Sequence, residues 1–379
     1  MRVLLRQATP LAEVTPTGRP LDFHRRLPGY AVTALVDAPL LASRLGVGQV
    51  LIKDETRRFG LPSFKILGAS WATYATLRER LGPLPDGTLT LQDLRSWARP
   101  ARPLTLIAAT DGNHGRAVAC VAAWFGHSAR IYIPNFVSEA RRRAIQNQGA
   151  ELVVIDGNYD AAVEAALDAS QQPGVLLISD TGRVSSDTMS LLVTAGYTTA
   201  FLEAEEQLRR SGEDSIDAIG VQAGVGGLAS AATLWARQIR LTRPSHVIVT
   251  EPENAACVFT ALAAGEPAVV SASRDTAMAV LQCGTVSQSA FPTLNAGVSC
   301  CLAIEDEWAL AAVAELRTSG VKTGPSGAAG LAGIMAAFDG TFAAPVKQHL
   351  GLGPRSRLLF VTTESPEALG HEAAGGMAE

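Results

Sequence analysis

From Leu104 onward, short runs that are apolar at every position alternate with longer stretches able to form amphipathic helices, which leaves few folds open. LTLIAA (104–109) precedes a helical stretch from Gly115 to Phe125, ARIYI (129–133) precedes Ser138 to Gln148, and ELVVI (151–155) precedes Tyr159 to Ser170. GVLLIS (174–179) runs through a loop into another helix, AIGVQ (218–222) passes a glycine turn into a helix ending near Ile239, and HVIVT (246–250) leads into a helix spanning Ala255 to Ala264. RLLFV (357–361) supplies a last strand, followed by Thr362, Thr363, Glu364 and Ser365. A strand apolar throughout must be covered on both faces, so the pattern predicts an α/β protein with parallel sheets flanked by helices.

With 379 residues and 47% hydrophobic content, the chain can bury two modest cores. Two lobes are expected, the larger from 1–69 with 201–379 and the smaller α/β lobe from 70–200. The Pro/Gly-punctuated segment 82–103 reads as a surface excursion carrying one short helix. The 32 basic and 36 acidic residues give a net charge of −4, which offers no electrostatic case for nucleic acid or a membrane surface and leaves small molecules as partners. No apolar run approaches the ~18 residues of a spanning helix. The opening MRVLLRQATP is broken by Arg6 and does not read as a secretory signal, so a cytoplasmic location is expected. The five cysteines show no CxxC or Cys/His ligand spacing, hence no metal site, while a pairing of Cys257 with Cys283 stays open.

Four constellations can carry chemistry. Lys65 is one of only four lysines and sits between Phe64 and Ile66 at the start of a helix. There the helix dipole and apolar neighbours would lower its pKa and make the amine a nucleophile toward an aldehyde, against the ordinary alternative of a surface lysine. ATDGNHGRAVA (109–119) places Asp111 and Asn113 at a strand-to-helix junction, where open parallel sheets present ligands and where turn formers and caps are also common. GVQAGVGGLASAA (220–232) leads a strand through Gly224, Val225, Gly226 and Gly227 into a helix, a cradle for a phosphate. Gly224, Gly226 and Ala229 also satisfy G-x-G-x-x-A, with Glu251 ending the next strand, so a nicotinamide-dependent oxidoreductase is the alternative from another class. The small-residue segment 323–334 and the threonines after the last strand form the fourth, with close helix packing as the plainer explanation.

Together, SFK (63–65), DGNHG (111–115), the glycine loop and the terminal Ser/Thr cluster resemble the fold-type II pyridoxal-phosphate enzymes, the tryptophan synthase β and threonine dehydratase group. Within that group the chain is most similar to the diaminopropionate ammonia-lyases, through FHRRLPGY, KDETRRFGLPSFKILGAS, ATDGNHGRAVA, GAELVVIDGNYDAAV, ISDT, GYTTAFLE, QAGVGG, EPENAAC and AMAVLQCG in the family's order. The resemblance implies pyridoxal 5'-phosphate as cofactor, held by Lys65 with Phe64 beside it. Asn113 would meet the phenolic oxygen, Gly224, Val225, Gly226, Gly227 and Leu228 the phosphate, and Thr363 the pyridine nitrogen. Asp111 would act as a second acid/base opposite Lys65, so that both enantiomers of an amino acid can react, and Asp180 would hold or deprotonate substrate. The implied reaction is α,β-elimination on a small amino acid, 2,3-diaminopropionate foremost, giving pyruvate and ammonia, in a homodimer. Two stretches depart from the family's pattern, Gly182 to Asp187 after ISDT and TVSQSAFPTLNAGVS (285–299). The first keeps a serine/threonine dehydratase or a β-replacement synthase in view.

Overall fold

The apolar runs become strands of two helix-flanked sheets in the computed structural model, which describes residues 1–11, 18–101, 103–110, 112–157, 159–213, 215–237, 245–272 and 275–369. In chain order the strands are β1 (Arg2–Leu5), β2 (Leu35–Asp37), β3 (Gln49–Asp54), β4 (Thr105–Ala109), β5 (Ser128–Pro134), β6 (Glu151–Ile155), β7 (Val175–Leu177), β8 (Ala218–Gln222), β9 (His246–Pro252), β10 (Val298–Ile304) and β11 (Arg357–Thr362). The larger sheet runs β1-β10-β9-β8-β11-β3-β2 and the smaller β6-β5-β4-β7.

The smaller sheet is wholly parallel, as expected. In the larger sheet β10, β9, β8, β11 and β3 are parallel, but the edge strands reverse, with β1 antiparallel to β10 and β2 antiparallel to β3. Edge strands need no cover on both faces, so neither RVLL nor LVD carries the unbroken apolar pattern of a central strand. The segment 82–103 does carry one short helix, Leu91–Ala98, closed by a capping box in which Thr90 and Asp93 exchange bonds.

Two helices, Lys65–Leu81 and Thr188–Arg210, pack against each other at close range. A Cβ on Gly196 would lie 2.4 Å from Leu67 O, so the contact requires glycine. Beside it His24 is fully buried between both helices. Its Nε2 lies 3.1 Å from Leu67 O and its Nδ1 2.7 Å from Thr199 Oγ1. A carbonyl cannot donate, so Nε2 carries the hydrogen and Nδ1 accepts from Thr199. Burial, and next the charge of Arg58, push His24 down to about 3.

At the end of β3 four charges are buried together, Lys53, Glu55, Arg58 and Glu203. Lys53 Nζ donates to Glu203 Oε2 at 2.8 Å, to Thr33 O at 2.9 Å and to Gln207 Oε1 at 2.9 Å. Arg58 bridges both carboxylates, donating to Glu203 Oε1 and Oε2 at 2.8 Å and from Nε to Glu55 Oε2 at 2.9 Å. Tyr30 OH completes Glu203 at 2.7 Å. Burial alone would raise the Glu203 carboxyl, but Arg58 and then Lys53 outweigh it and hold it well below the usual range.

Among the described residues no single helix is long and apolar enough to cross a membrane. All five cysteines are free thiols, so Cys257 and Cys283 do not pair.

Glu203→Ala leaves two buried cations facing one carboxylate and should cost ~3–5 kcal/mol in urea-induced unfolding. For His24, the unfolded chain binds a proton between pH ~6.5 and ~3 that the folded chain refuses, so stability falls as pH drops, by up to ~1.4 kcal/mol per pH unit. His24→Gln should flatten that acid-side slope in unfolding curves compared across pH ~4 to ~6.5.

Candidate active site

The chain reaches Lys65 through a tight, strained turn. Phe59 has φ 53° and Gly60 φ 78°, while Arg58 and Leu61 exchange backbone bonds of 2.9 and 3.0 Å across them. Pro62–Phe64 then lies along the segment after β11, with Phe64 N donating to Thr363 O at 3.3 Å and Ser365 N to Pro62 O at 3.0 Å. Lys65 is the first residue of its helix.

Lys65 Nζ donates to Asp180 Oδ2 at 2.7 Å and lies 5.8 Å from the centre of the Tyr197 ring and 5.5 Å from that of Phe64. The sequence led to the expectation of a lowered lysine pKa, and the structure reverses it. Burial alone would push the amine down, but the Asp180 carboxylate outweighs it and holds Lys65 above the usual lysine range. Burial would likewise raise Asp180, and His114 followed by Lys65 brings it below the ordinary carboxylate range. His114 donates from Nε2 to Ile178 O at 2.8 Å and turns Nδ1 toward Asp180 Oδ2 at 3.9 Å. The resting pair is therefore ammonium and carboxylate, with the proton on Lys65.

Asn113 begins the helix Asn113–Phe125 after β4, and its Nδ2 donates to Glu364 Oε2 at 2.6 Å. Glu364 is buried, and Thr323 Oγ1 donates to its carbonyl at 2.7 Å. Gln222, the polar end of β8, donates from Nε2 to Thr363 Oγ1 at 2.7 Å and to Val361 O at 3.1 Å. That leaves the Thr363 hydroxyl hydrogen for another acceptor. Glu364, Gln222, His114 and Tyr197 were not assigned roles from sequence. The polar residues that follow RLLFV and end AIGVQ were signals for the first two, while Tyr197 lies mid-helix inside GYTTAFLE (196–203), a stretch that carried the resemblance without pointing to a role.

Gly224 to Gly226 turn the chain from β8 into the helix Gly227–Arg237. Gly226 has φ 96°, which strains any residue bearing a Cβ, and a Cβ there would also lie 2.8 Å from Leu294 Cδ1. The first amides of that helix lack intrahelical acceptors and point at whatever anion sits before them. This cup adjoins the lysine, since a Cβ on Gly227 would lie 3.6 Å from Tyr197 Cε2 and 3.9 Å from Asp180 O. Lys65, Phe64, Asp180, Asn113, Thr363 and Gly224 to Leu228 are thus gathered where both sheets end their strands. Asp111 lies outside the described residues.

Glu251 does not serve a ligand. Its two oxygens accept from Val258 N at 2.8 Å and Phe259 N at 2.7 Å, capping the helix Cys257–Ala264 inside the core, where burial pushes its carboxyl up to about 8. Held there, Glu251 does not take the ribose-binding role expected of a dinucleotide site. From Arg183 the departing stretch after ISDT turns outward, for Arg183 pairs with Glu164 and both are half exposed.

A phosphate monoester bearing an aldehyde ring fits these residues. Glycine amides at a helix start suit the dianion, a lysine amine suits the aldehyde, and Asn113 and Thr363 supply side-chain hydrogens for ring oxygen and nitrogen.

Residues 26–346 match the family described as pyridoxal-phosphate dependent enzyme. The diaminopropionate ammonia-lyase of Salmonella typhimurium strain LT2 is 32% identical over 358 residues, covering 91% of this chain and 87% of that one. Its counterpart in Escherichia coli K12 is 30% identical over 370 residues, covering 96% and 92%. The solved structure of diaminopropionate ammonia lyase from Escherichia coli in complex with D-serine superposes with a TM-score of 0.87 at 28% identity, over 100% of this chain and 98% of that one.

Asp180→Asn removes the carboxylate that holds the proton on Lys65. In the cofactor-free protein the pH at which Lys65 accepts an amine-selective label should fall, read peptide by peptide by mass spectrometry, while the other lysines keep their labelling profiles.

Proposed function

The chain belongs to the pyridoxal-phosphate-dependent enzymes, and on that footing we propose a carbon–nitrogen lyase that acts on a small amino acid, 2,3-diaminopropionate before others. With one water consumed, the products are pyruvate and two molecules of ammonia. The observation that carries this reading is the Lys65–Asp180 bond of 2.7 Å beside the glycine cup.

Bound pyridoxal phosphate supplies an electron-withdrawing ring in conjugation with the substrate's α-carbon, which acidifies its C–H bond. The chain does the rest. The cup of Gly224 to Leu228 fixes the phosphate end, and Phe64 flanks the site. Asn113, oriented by Glu364, donates toward the phenolic oxygen. Thr363 offers its hydroxyl hydrogen to the pyridine nitrogen, a partner that does not fully protonate the ring. With its resting proton released to solvent when cofactor and substrate fill the site, the neutral Lys65 amine takes the Cα proton on its own side, and Asp111 is assigned the opposite side, which would admit both enantiomers. Once Lys65 gives up its charge, Asp180 keeps a carboxylate without its cation, placed to hold the substrate's ammonium groups.

The same reading places the protein in the cytoplasm as a homodimer. It also keeps 1–69 with 201–379 as the larger, cofactor-holding lobe and 70–200 as the smaller, a division supported by the smaller sheet lying within Thr105 to Leu177.

The purified enzyme, supplied separately with diaminopropionate, serine and threonine, should release 2-oxo acid fastest from diaminopropionate, and Lys65→Ala should slow it by roughly 10³-fold or more. Faster release from serine or threonine would make the protein a dehydratase instead.

A further inference from the structure

The two stretches that depart from the family's pattern, 182–187 and 285–299, meet in the fold. Ser287 Oγ accepts from Gly182 N at 2.8 Å, and Gln288 N donates to Gly182 O at 2.9 Å, so both backbone groups of Gly182 are held. A Cβ on Gly182 would lie 2.5 Å from Ser289 Oγ, which reserves the seat for glycine. On its other side Ser287 N donates to Val225 O at 2.9 Å, within the phosphate cup. Its hydroxyl also lies 3.0 Å from Ser289 Oγ and 3.4 Å from Ser190 Oγ, and Ser289 Oγ donates to Ser190 Oγ at 2.9 Å. All three serines are buried, so each bond in this ring is made in a medium where losing one is costly.

Gly182 is two residues beyond Asp180, whose own turn is closed by Ser179 Oγ accepting from Thr181 N at 3.2 Å. The arm that carries the carboxylate is thus short, and its far end is held by one side-chain hydroxyl, Ser287, and one backbone amide, Gln288. We propose that Ser287 is a positioning residue. It ties the Asp180 arm to the phosphate cup, so that the separation of Asp180 from Lys65 depends on a side chain that touches neither. The claim rests on reading Lys65 and Asp180 as the reacting groups, but its first readout does not depend on any substrate.

The test follows hydrogen–deuterium exchange and steady-state kinetics in the full-length holoenzyme for Ser287→Ala and Ser289→Ala. Ser287→Ala should exchange about tenfold faster in peptides spanning 178–187 and lose about tenfold in kcat, with KM changed less than about twofold. Ser289→Ala keeps the Ser287–Gly182 bond and should stay within about twofold of the parent in both. Unchanged exchange or kcat in Ser287→Ala, or equal effects of the two variants, overturns the proposal. If Ser287→Ala does not fold, Ser287→Cys, which keeps the volume and weakens the acceptor, decides by the same readouts. Absence of lyase activity in the parent would remove the proposed function and leave the exchange result standing.

Discussion

Four buried charges, Lys53, Glu55, Arg58 and Glu203, set the frame in which the site is built. Each would be expensive to bury alone, and their mutual bonds make sense in one arrangement only. That arrangement fixes the end of β3 against the helix Thr188–Arg210 and leaves six residues between Arg58 and Lys65. Within them the chain turns through Phe59 at positive φ, a conformation held from outside by the clamp on Arg58 and by the Trp124 ring 5.3 Å from the Phe59 ring. The lysine emerges where it does because the preceding turn has nowhere else to go.

The Thr188–Arg210 helix acts as a gauge for the whole site. Ser190, Thr194 and Tyr197, spaced to share one face, meet the serine ring, the glycine cup and the lysine in turn. Thr199 and Glu203, also a turn apart, meet His24 and the buried charges. A single rigid element thereby measures the distance from the β3 turn to the Asp180 arm.

Much of this was legible in the sequence. The unbroken apolar runs marked the central strands, since cover on both faces leaves no polar position, and AIGVQ (218–222) matches β8 at both ends. β1, β2, β3 and β10 were not read, because Arg2 and Asp37 sit at the ends of very short strands, Lys53 and Ser299 interrupt the other two, and their role is set by neighbours far along the chain. Lys65, Asn113 and the glycine loop stood out through local patterns that the fold brings together. The direction of the Lys65 shift did not, because Asp180 lies 115 residues away and no helix-terminus argument contains it. Glycine spacing alone also left a dinucleotide open, and it took the placement of Glu251, capping a helix in the core, to remove that reading.

The site is divided between two sheets. Lys65, the cup and Thr363 follow strands of the larger one, whereas Asn113 and Asp180 follow β4 and β7 of the smaller. Two of the polar bonds across the divide, Lys65 to Asp180 and Asn113 to Glu364, join a residue that follows a strand of one sheet to a residue that follows a strand of the other. A small rotation of one sheet relative to the other therefore lengthens the two together, as the jaws of a caliper part. The two contacts thus report one geometric quantity, the separation between the strand ends of the two sheets.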